Sequence, residues 1–223
     1  TSLALSAEHR VNDRWAASVA LMRYRYRETL REHGLNFYIT PSVIDLYATS
    51  RLSRADTSNA SARLVGEFEA LGVGHQLVLG VETARRKDRS ADGYTDNNTV
   101  GSFDLLNPTY LPRDFGSYSY ITSSSGGELR TSSVYMHDTL TIGRWQLLAG
   151  LRHQRYEVTP LGEAAQPSRV TLPRLGAVYR LSPSASAYAL YTEGFQPPDT
   201  SANAPGRGGP FEPEDSRLVE VGW

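Results

Sequence analysis

Few residues in this sequence have the types and spacing that catalysis or metal binding would need. His137 and Asp138 are adjacent, but neighbouring residues of a β-strand project to opposite faces, so they cannot act as a catalytic pair. The other histidines, at positions 9, 33, 75 and 153, lack the spacing of zinc ligands. The absence of cysteine excludes thiolate metal sites and disulfides. We therefore predict no enzyme, no catalytic residue, no metal site and no cofactor.

The composition excludes two further classes of protein. A formal net charge of -1 argues against a generic nucleic-acid-binding protein, so no nucleic acid is expected as a partner. Only 39% of the residues are hydrophobic, and no run approaches the roughly 18 apolar residues of a membrane-spanning helix. Tyrosine is common, at 13 residues. This side chain suits an interface where one end of the ring is dry and the other is wet.

The elements that must position any site are β-strands, because apolar and polar residues alternate along most of the chain. Nine strands are predicted: Leu3–Val11, Trp15–Thr29, one within Ile44–Leu71, His75–Lys87, Glu128–Ile142, Trp145–Thr159, Arg169–Leu181, Ala185–Phe195 and Glu214–Trp223. The third of these is predicted to be irregular at 55–61. Their connections alternate between short and long, and the longest is predicted from Asp88 to about Gly127.

Short turns on one side and long loops on the other are typical of an outer-membrane β-barrel. The segment at 75–87 fits, with Leu77, Leu79 and Val81 on one face and Gln76 and Glu82 on the other. A soluble β-sandwich is the alternative, but its strands usually have about 5–6 residues, whereas tilted spanning strands need roughly 9–11. The fold class is therefore predicted as all-β, a transmembrane antiparallel barrel.

Alternation also predicts which side chains face lipid and which face the lumen. At 185–195, Tyr188 and Leu190 are predicted to face lipid, whereas Tyr191, Glu193 and Phe195 are predicted to face the lumen. The same lumen wall is predicted to contain Arg152, Gln154 and Tyr156.

Two places do not fit simple alternation. Strict alternation from Trp15 predicts that three arginine side chains face lipid, those of Arg23, Arg25 and Arg27. A bulge near Leu21 and Met22 would turn them inward, and we prefer it because it places Tyr24 and Tyr26 in an aromatic girdle. Asp138 falls on the predicted lipid face, where the sequence offers no reason for a carboxylate.

Six short motifs resemble the barrel of TonB-dependent siderophore receptors, most nearly the ferric-hydroxamate receptor type. They occur in that family's order and are "HQLVLGVETARRK" (75–87), "FDLLNPTYLP" (103–112), "SSVYMHD" (132–138), "LLAGLRHQRYE" (147–157), "PRLGAVYRLSPSASAYALYTEGFQP" (173–197) and "FEPEDSRLVEVGW" (211–223). The resemblance implies a 22-stranded barrel in the bacterial outer membrane. Residues 1–223 would be part of that barrel domain, with about nine of its strands and without its plug domain.

The resemblance also implies partners and ligand-binding residues. The partners would be outer-membrane lipid, a ferric siderophore, and the TonB complex through the absent plug. Phe195 matches the last aromatic of a family motif at the extracellular end of a strand, where the family contacts its ligand. The full set of predicted ligand-binding residues is Phe195, Tyr191, Glu193, Arg152, Gln154, Tyr156, Tyr110, Phe115, Tyr118 and Tyr120. Inward Arg and Glu could instead pair with each other or with the plug. A passive diffusion porin, or a receptor for cobalamin or haem, stays open as an alternative.

Overall fold

The computed structural model describes residues 1–95 and 99–223, and its regular structure is almost entirely β-strand. The ten strands are β1 (Ser2–Asn12), β2 (Trp15–Tyr38), β3 (Val43–Ala70), β4 (Val73–Thr95), β5 (Gly101–Asp104), β6 (Tyr120–Ile142), β7 (Trp145–Pro160), β8 (Gln166–Ser182), β9 (Ala185–Gln196) and β10 (Glu214–Gly222). One short 3-10 helix occupies Pro205–Arg207. In the described part of the chain, no helix is long and apolar enough to cross a membrane.

The strands form one sheet in the order β1-β2-β3-β4-β6-β7-β8-β9-β10, and β5 pairs with β3. Apart from β4 and β6, which flank β5, neighbours in this order are consecutive in the chain. β1–β2, β3–β5, β6–β7, β7–β8, β8–β9 and β9–β10 pair antiparallel. Two-residue turns at 13–14, 71–72, 143–144 and 183–184 join neighbouring strands. The predicted all-β antiparallel fold and the predicted short turns are therefore confirmed.

The main difference from the predicted strands is length on the long-loop side. β2 runs nine residues beyond Thr29, β4 eight beyond Lys87, and β6 begins eight before Glu128. The long loop predicted from Asp88 to Gly127 is wrong over 88–95 and 120–127, which are strand, and it also contains β5. Residues 96–98 of that loop lie outside the described residues. β3 is continuous, so the irregularity predicted at 55–61 is absent there.

One turn contains a residue in an unfavourable conformation. Leu71 has φ 55°, in the left-handed region that costs a residue with a Cβ about 1–2 kcal/mol relative to its usual conformations. Its side chain is fully exposed, so it gains nothing from burial. We expect Leu71→Gly to raise the free energy of unfolding by up to about 1 kcal/mol, as measured by denaturant unfolding of the full-length protein. An unchanged or lower value would contradict the assignment of strain to this residue.

The chain divides into two compact units. The first comprises residues 1–24, 57–87 and 127–223, and the second comprises 25–56 and 88–126. In the first unit, each strand of the β6–β7–β8 series has one apolar and one polar face. Residues opposite each other in these registers share a face, so Leu151, Met136 and Pro173 lie together.

The apolar face of the first unit continues across β2, β3, β4, β6 and β7. It lines a concavity of about 600 Å³ whose walls include Ala17, Val19, Ala62, Leu64, Leu79, Val81, Val134, Met136 and Leu151. Side chains at the turn end of the same face are aromatic: the rings of Trp15 and Phe68 stack with centroids 6.3 Å apart. Trp15 covers Gly66, where an added Cβ would lie 2.2 Å from the indole. Gly66 is therefore required by the close approach of this ring.

Asp138 has a specific partner on the apolar face. Its Oδ2 lies 2.7 Å from Nδ1 of His75, whose ring stacks on Phe68 with centroids 4.7 Å apart. The pairing satisfies one of the two carboxylate oxygens, whereas Oδ1 is buried without a hydrogen-bond partner among the described residues. No sequence signal linked these residues, since they are 63 positions apart on β4 and β6.

The prediction of a bulge near Leu21 and Met22 is wrong, because the β1–β2 register covers this part of β2 and contains no bulge there. That register runs without interruption from Ser2 opposite Tyr24 to Arg10 opposite Ala16, and its only shift falls between Arg10 and Asn12. Arg23 therefore stays on the face of Trp15 and Val19.

Candidate functional site

The polar face of the first unit carries a connected set of side chains around Arg152. Arg152 Nη2 donates a 2.6 Å hydrogen bond to Oε2 of Glu82, and its Nε lies 3.3 Å from Oε1 of Gln154. Its guanidinium is 5.6 Å from the ring centroid of Tyr135, within the range of a cation–π contact. Tyr135 in turn packs on Gly80, where a Cβ would lie 2.2 Å from the ring. Arg152 is thus held in place by its own neighbours.

The expectation that inward arginine and glutamate pair with each other is confirmed for Arg152 and Glu82. The two side chains are 35% and 38% exposed, so solvent screens the pair and its contribution to stability is small. Its consequence is positional, because a guanidinium held by a carboxylate, an amide and a ring has a fixed direction.

Tyr156 and Phe195 form an aromatic contact further along the same unit. Their ring centroids lie 4.9 Å apart, and Tyr156 is only 5% exposed. Val158 and Pro160, two and four residues beyond Tyr156 on the same face of β7, are also buried. Phe195 therefore packs against Tyr156. Phe195 lies at the end of β9, next to the segment that follows this strand.

Residues 197–213, which we call the cap segment, fold over this end of β7. Thr200 is buried, and its Cβ would lie 3.0 Å from a Cβ added at Gly127. Asn203 is 2% exposed, donates to Oε1 of Gln166 and accepts from the backbone N–H of Phe211 at 2.6 Å. The segment is therefore held in place by buried hydrogen bonds.

Asp199 begins the cap segment and organises its first turn. Its Oδ1 accepts hydrogen bonds from Ser201 Oγ at 2.6 Å, Ser201 N at 2.8 Å and Ala202 N at 3.1 Å. The Ser201 hydroxyl is the largest cause of a pKa of Asp199 below its usual value, while burial acts in the opposite direction. The carboxylate is thus stabilised in its charged form by the fold.

This lowered pKa predicts how the cap segment responds to acid. A folded-state pKa below the unfolded value of about 3.9 means that the stabilisation is complete above the unfolded pKa and is lost as the pH falls through the folded one. We expect Asp199→Ala to lower the thermal unfolding temperature of the full-length protein at pH 6. The difference from the unaltered protein should shrink as the pH falls below the unfolded pKa and through the lower folded-state pKa of Asp199. A pH-independent difference would contradict this assignment.

The face predicted for Tyr191 and Glu193 is wrong. The β8–β9 register places Tyr191 opposite Leu175, and the β9–β10 register places it opposite Val219, which is 71% exposed. Leu175 is in turn opposite Ala149 on the apolar face of β7. Because opposed residues share a face, Tyr191 and Glu193 follow the apolar face rather than the wall that contains Arg152.

The residues predicted to face lipid in the same strand are correspondingly on the other side. Leu190 lies opposite Gly176 and Glu220, and the hydroxyl of Tyr188 donates a 2.7 Å hydrogen bond to Oε1 of Glu220. Alternation within β9 could not decide between the two assignments, because both of its faces carry apolar residues. The register with β8 and β10 decides it.

The second unit contains the densest aromatic cluster among the predicted ligand residues. His33 lies 4.7 Å from Phe115 and 5.8 Å from Tyr118, measured between ring centroids, and Tyr118 lies 6.5 Å from Tyr120. Hydrogen bonds fix the rings: His33 Nε2 is 3.1 Å from the Tyr118 hydroxyl, and the Tyr120 hydroxyl donates to the carbonyl oxygen of Phe115 at 3.1 Å. We call these four residues the aromatic cluster.

Tyr110 does not join the aromatic cluster. Its ring packs on Phe103 of β5, with centroids 5.3 Å apart, and it is 83% exposed. The ten residues predicted to bind ligand therefore fall into four groups: the Arg152–Gln154 set, the Tyr156–Phe195 contact, the aromatic cluster with Phe115, Tyr118 and Tyr120, and the separate residues Tyr110, Tyr191 and Glu193.

The sequence offered no direct signal for three residues of these groups. His33 lacks metal-ligand spacing in the sequence, and it contacts Phe115 and Tyr118 more than 80 positions away. Glu82 is on the predicted polar face of its strand, and Gly80 on the same face is the sequence feature that leaves room for the Tyr135 ring. Among the described residues, no group of three or more His, Cys, Asp or Glu side chains could hold a metal ion.

Comparison with known proteins identifies the family of this fold. The family of β-barrels described as "TonB dependent receptor-like, beta-barrel" matches residues 1–223. The chain belongs to this family. The match spans all the strands described above, including β1 to β3, for which the sequence motifs gave no evidence.

Individual relatives share less than a third of their residues with this chain. The chain is 24% identical over 220 residues to the ferric-pyoverdine 358 receptor of Pseudomonas putida, covering 89% of the chain and 26% of that receptor. It is 20% identical to the ferrioxamine B receptor of Salmonella typhimurium (strain SL1344), covering 96% of the chain and 30% of that receptor. The chain thus spans between a quarter and a third of the curated relatives it matches.

Solved structures agree on the fold. The ferripyoverdine receptor of the outer membrane of Pseudomonas aeruginosa, bound to ferripyoverdine, superposes with a TM-score of 0.83 at 22% identity, covering 99% of this chain and 30% of that chain. The ferric preacinetobactin receptor of Acinetobacter baumannii gives a TM-score of 0.75 at 21% identity, covering 99% of this chain and 34% of that chain. At this level of identity the likeness shows a shared fold.

Proposed function

We propose that this chain is part of an outer-membrane receptor that binds a ferric siderophore and imports it with energy from the TonB complex. The observation that carries the proposal is the match of the receptor-barrel family over residues 1–223. The relatives support the ligand class, since two of them are receptors for ferripyoverdine and ferrioxamine B. In this proposal the TonB complex acts through a plug domain outside this sequence, and the protein is a transporter rather than an enzyme.

We propose the aromatic cluster as a ligand-contacting surface. A ferric siderophore is a compact polar chelate with apolar patches, and aromatic walls with a few hydrogen-bonding groups suit such a ligand. Phe115, Tyr118 and Tyr120 supply rings and hydroxyls, and His33 adds a ring nitrogen held by Tyr118. The rings restrain each other, so little conformational entropy would be lost on binding.

The other predicted ligand residues differ in how the structure supports a binding role. Arg152 and Gln154 are held in the network with Glu82, which would present one fixed guanidinium to an anionic group. Tyr156 and Phe195 pack on each other near the cap segment, and their ligand-binding role stays a prediction. Tyr191 and Glu193 follow the apolar face, so we leave them out of the proposed site.

Equilibrium binding tests the proposed ligand class. Outer membranes from cells that express the full-length receptor would be titrated with radioiron-labelled ferrioxamine B and ferripyoverdine, and with cyanocobalamin and haem as alternatives. We expect saturable binding of a ferric siderophore, absent from membranes of cells without the receptor gene. Saturable binding of only cyanocobalamin or haem would overturn the siderophore assignment. Receptor-dependent flux of small sugars without saturable binding would favour the passive porin.

A further inference from the structure

Strand β6 has a stretch of backbone edge that no neighbouring strand covers. β6 lies between β4 and β7 in the sheet, and its register with β7 begins only at Gly127, which is opposite Pro160. The strand itself begins earlier, at Tyr120. Residues 121–125 therefore belong to β6 but have no opposite residue on β7. We call residues 121–125 the β6 edge.

The other side of this stretch is occupied by β4. A Cβ added to Gly93 of β4 would lie 3.2 Å from Cβ of Tyr120 and 3.5 Å from Cγ2 of Thr122. A Cβ added to Gly126 would lie 2.2 Å from the backbone carbonyl oxygen of Asp88, also on β4. Successive residues of a strand direct their backbone N–H and C=O groups to alternate sides. Every second residue of the β6 edge therefore faces β4, and the remaining residues face away from it.

The backbone groups that face away from β4 are free in the part of the chain that the structure describes. Within residues 1–95 and 99–223, β6 pairs only with β4 and β7, and no turn or loop hydrogen bond reaches residues 121–125. Residues 121–124 are exposed. A row of unpaired N–H and C=O groups on a strand edge is a template for a further strand.

The composition of the β6 edge leaves it open to pairing. Proteins usually protect an exposed edge with charged residues, lysine above all, or with proline. Residues 121–125 contain neither a charge nor a proline. Ile121 and Thr122 are β-branched and favour extended backbone, and the three residues that follow are serines, whose short side chains leave room for those of an added strand.

Membrane geometry excludes a second copy of this chain as the added strand. In the proposed outer-membrane placement all copies have the same orientation, and the strands of such barrels tilt by about 35–45°. Where two barrels meet side by side, two facing copies of β6 would cross at about twice that angle, roughly 70–90°. Strands that cross so steeply cannot align their backbone groups for pairing.

The length of the β6 edge separates a polypeptide from a compact ligand. At about 3.4 Å per residue, five residues present a row about 17 Å long. A compact chelate or a lipid headgroup has no matching row of alternating donors and acceptors, whereas an extended polypeptide has one along its whole backbone. The neutral hydroxyl side chains and Ile121 favour uncharged, β-branched residues opposite them.

We propose that the β6 edge is a docking site for an extended, uncharged segment of an extracellular protein, which adds to the sheet as a further strand. Main-chain hydrogen bonds to the free edge supply the attraction. The site differs from the proposed siderophore surface in chemistry, because it uses backbone groups rather than aromatic rings. The inference rests on the proposed outer-membrane placement, which puts the long-connection side of the strands outside the cell.

The test measures binding of a strand-forming peptide to the purified full-length receptor in a neutral detergent. The probe is a fluorescein-labelled peptide in which threonine and valine alternate, and the matched probe has the same sequence with every backbone nitrogen of that tract methylated. Strand addition depends on main-chain hydrogen bonds, so the methylated probe is expected to bind about tenfold or more weakly. Amide hydrogen exchange of residues 120–126 should slow when the unmethylated probe is bound.

Two proline variants locate the binding on the β6 edge. Neighbouring residues direct their N–H groups to opposite sides, so one of Ser123→Pro and Ser124→Pro removes a free donor and the other removes a donor to β4. The variant that keeps the thermal unfolding temperature of the unaltered receptor is expected to bind the probe about tenfold or more weakly. Ile121→Thr is the matched control, because it keeps every backbone donor and a β-branched side chain. Its affinity should stay within about twofold.

Several results would overturn the proposal. Equal affinity for the two probes, or unchanged affinity in both proline variants, would show that the free edge does not pair. A loss in Ile121→Thr as large as that in the proline variant would indicate adsorption to an exposed apolar side chain. Competitive displacement of the probe by ferripyoverdine would make the chelate the occupant, and a receptor dimer that the probe dissociates would make it a second copy.

The probe comparison and the exchange measurement decide alone if both proline variants unfold at a lower temperature. Ferric-siderophore binding by each variant is measured alongside and should be unchanged in the variant that stays stable. Absence of siderophore binding from the unaltered receptor, with the difference between the two probes intact, would instead contradict the proposed function and leave the β6 edge as a docking site.

Discussion

Phe115→Ala is expected to weaken ferric-siderophore binding by a factor of ten or more. The Phe115 ring packs against His33 and Tyr118. The backbone carbonyl oxygen of Phe115 accepts a hydrogen bond from the Tyr120 hydroxyl. Truncation would remove one wall of the aromatic cluster and loosen the other rings. Loss of a well-packed aromatic from a binding site commonly costs about 2 kcal/mol, equivalent to at least a tenfold change in affinity. The measurement is equilibrium binding of labelled ferric siderophore to outer membranes with matched amounts of full-length receptor.

Tyr110→Ala provides the matched control for this prediction. It removes an aromatic ring from the same connecting segment, but that ring is largely exposed and contacts Phe103 rather than the aromatic cluster. Its effect on affinity should be within twofold. Phe195→Ala is a second comparison, because its ring packs on Tyr156. If Phe195→Ala weakens binding more than Phe115→Ala does, the ligand contacts lie in the first unit and the aromatic cluster is not the site.

Gly127→Val is expected to cause the largest loss of stability. A Cβ at this position would lie 2.4 Å from the carbonyl oxygen of Thr159, 3.0 Å from Cβ of Thr200 and 3.1 Å from Cα of Pro160. Two of these atoms belong to the backbone and cannot move aside as a flexible side chain would. Overpacking of this kind costs about 1–3 kcal/mol and sometimes more. We expect the cap segment to be displaced, because Thr200 belongs to it.

Denaturant unfolding and limited proteolysis of the full-length protein measure the two consequences of Gly127→Val. The free energy of unfolding should fall, and trypsin should cleave after the exposed Arg207 of the cap segment faster than in the unaltered protein. Gly74→Val is the control, since the nearest side-chain atom to an added Cβ there is 3.9 Å away. Similar behaviour of the two variants would show that close packing at Gly127 does not hold the cap segment in place.

The sequence predicted the sheet well because its main signal, alternation, is local. Trp145, Leu147, Ala149 and Leu151 alternate with Gln146, Gly150 and Arg152, and the registers on both sides of β7 agree with that separation. Short turns were visible because their residues, such as Gly72 and Gly143, adopt positive φ values that favour glycine. The same reasoning underestimated β2, β4 and β6, because the residues that extend β4 and β6 are mostly polar or small and do not alternate with apolar ones.

The faces of β9 and the composition of the aromatic cluster required information that local patterns do not contain. Tyr188 and Tyr191 are equally plausible on either face, and only hydrogen-bonded neighbours fix the register. His33 meets Tyr118 across 85 positions, and His75 meets Asp138 across 63. Such pairs are set by the order of strands in the sheet.

Uptake of iron by living cells tests the central claim most directly. Cells that depend on the full-length receptor would be given radioiron-labelled ferric siderophore, chosen from those that bind in the membrane titration, with the TonB complex intact or inactivated. The proposed function predicts that binding occurs in both cases and that iron accumulates only when the receptor and the TonB complex are both present. Accumulation at the same rate without the TonB complex, proportional to the external concentration and unsaturable, would contradict it and would identify a passive pore.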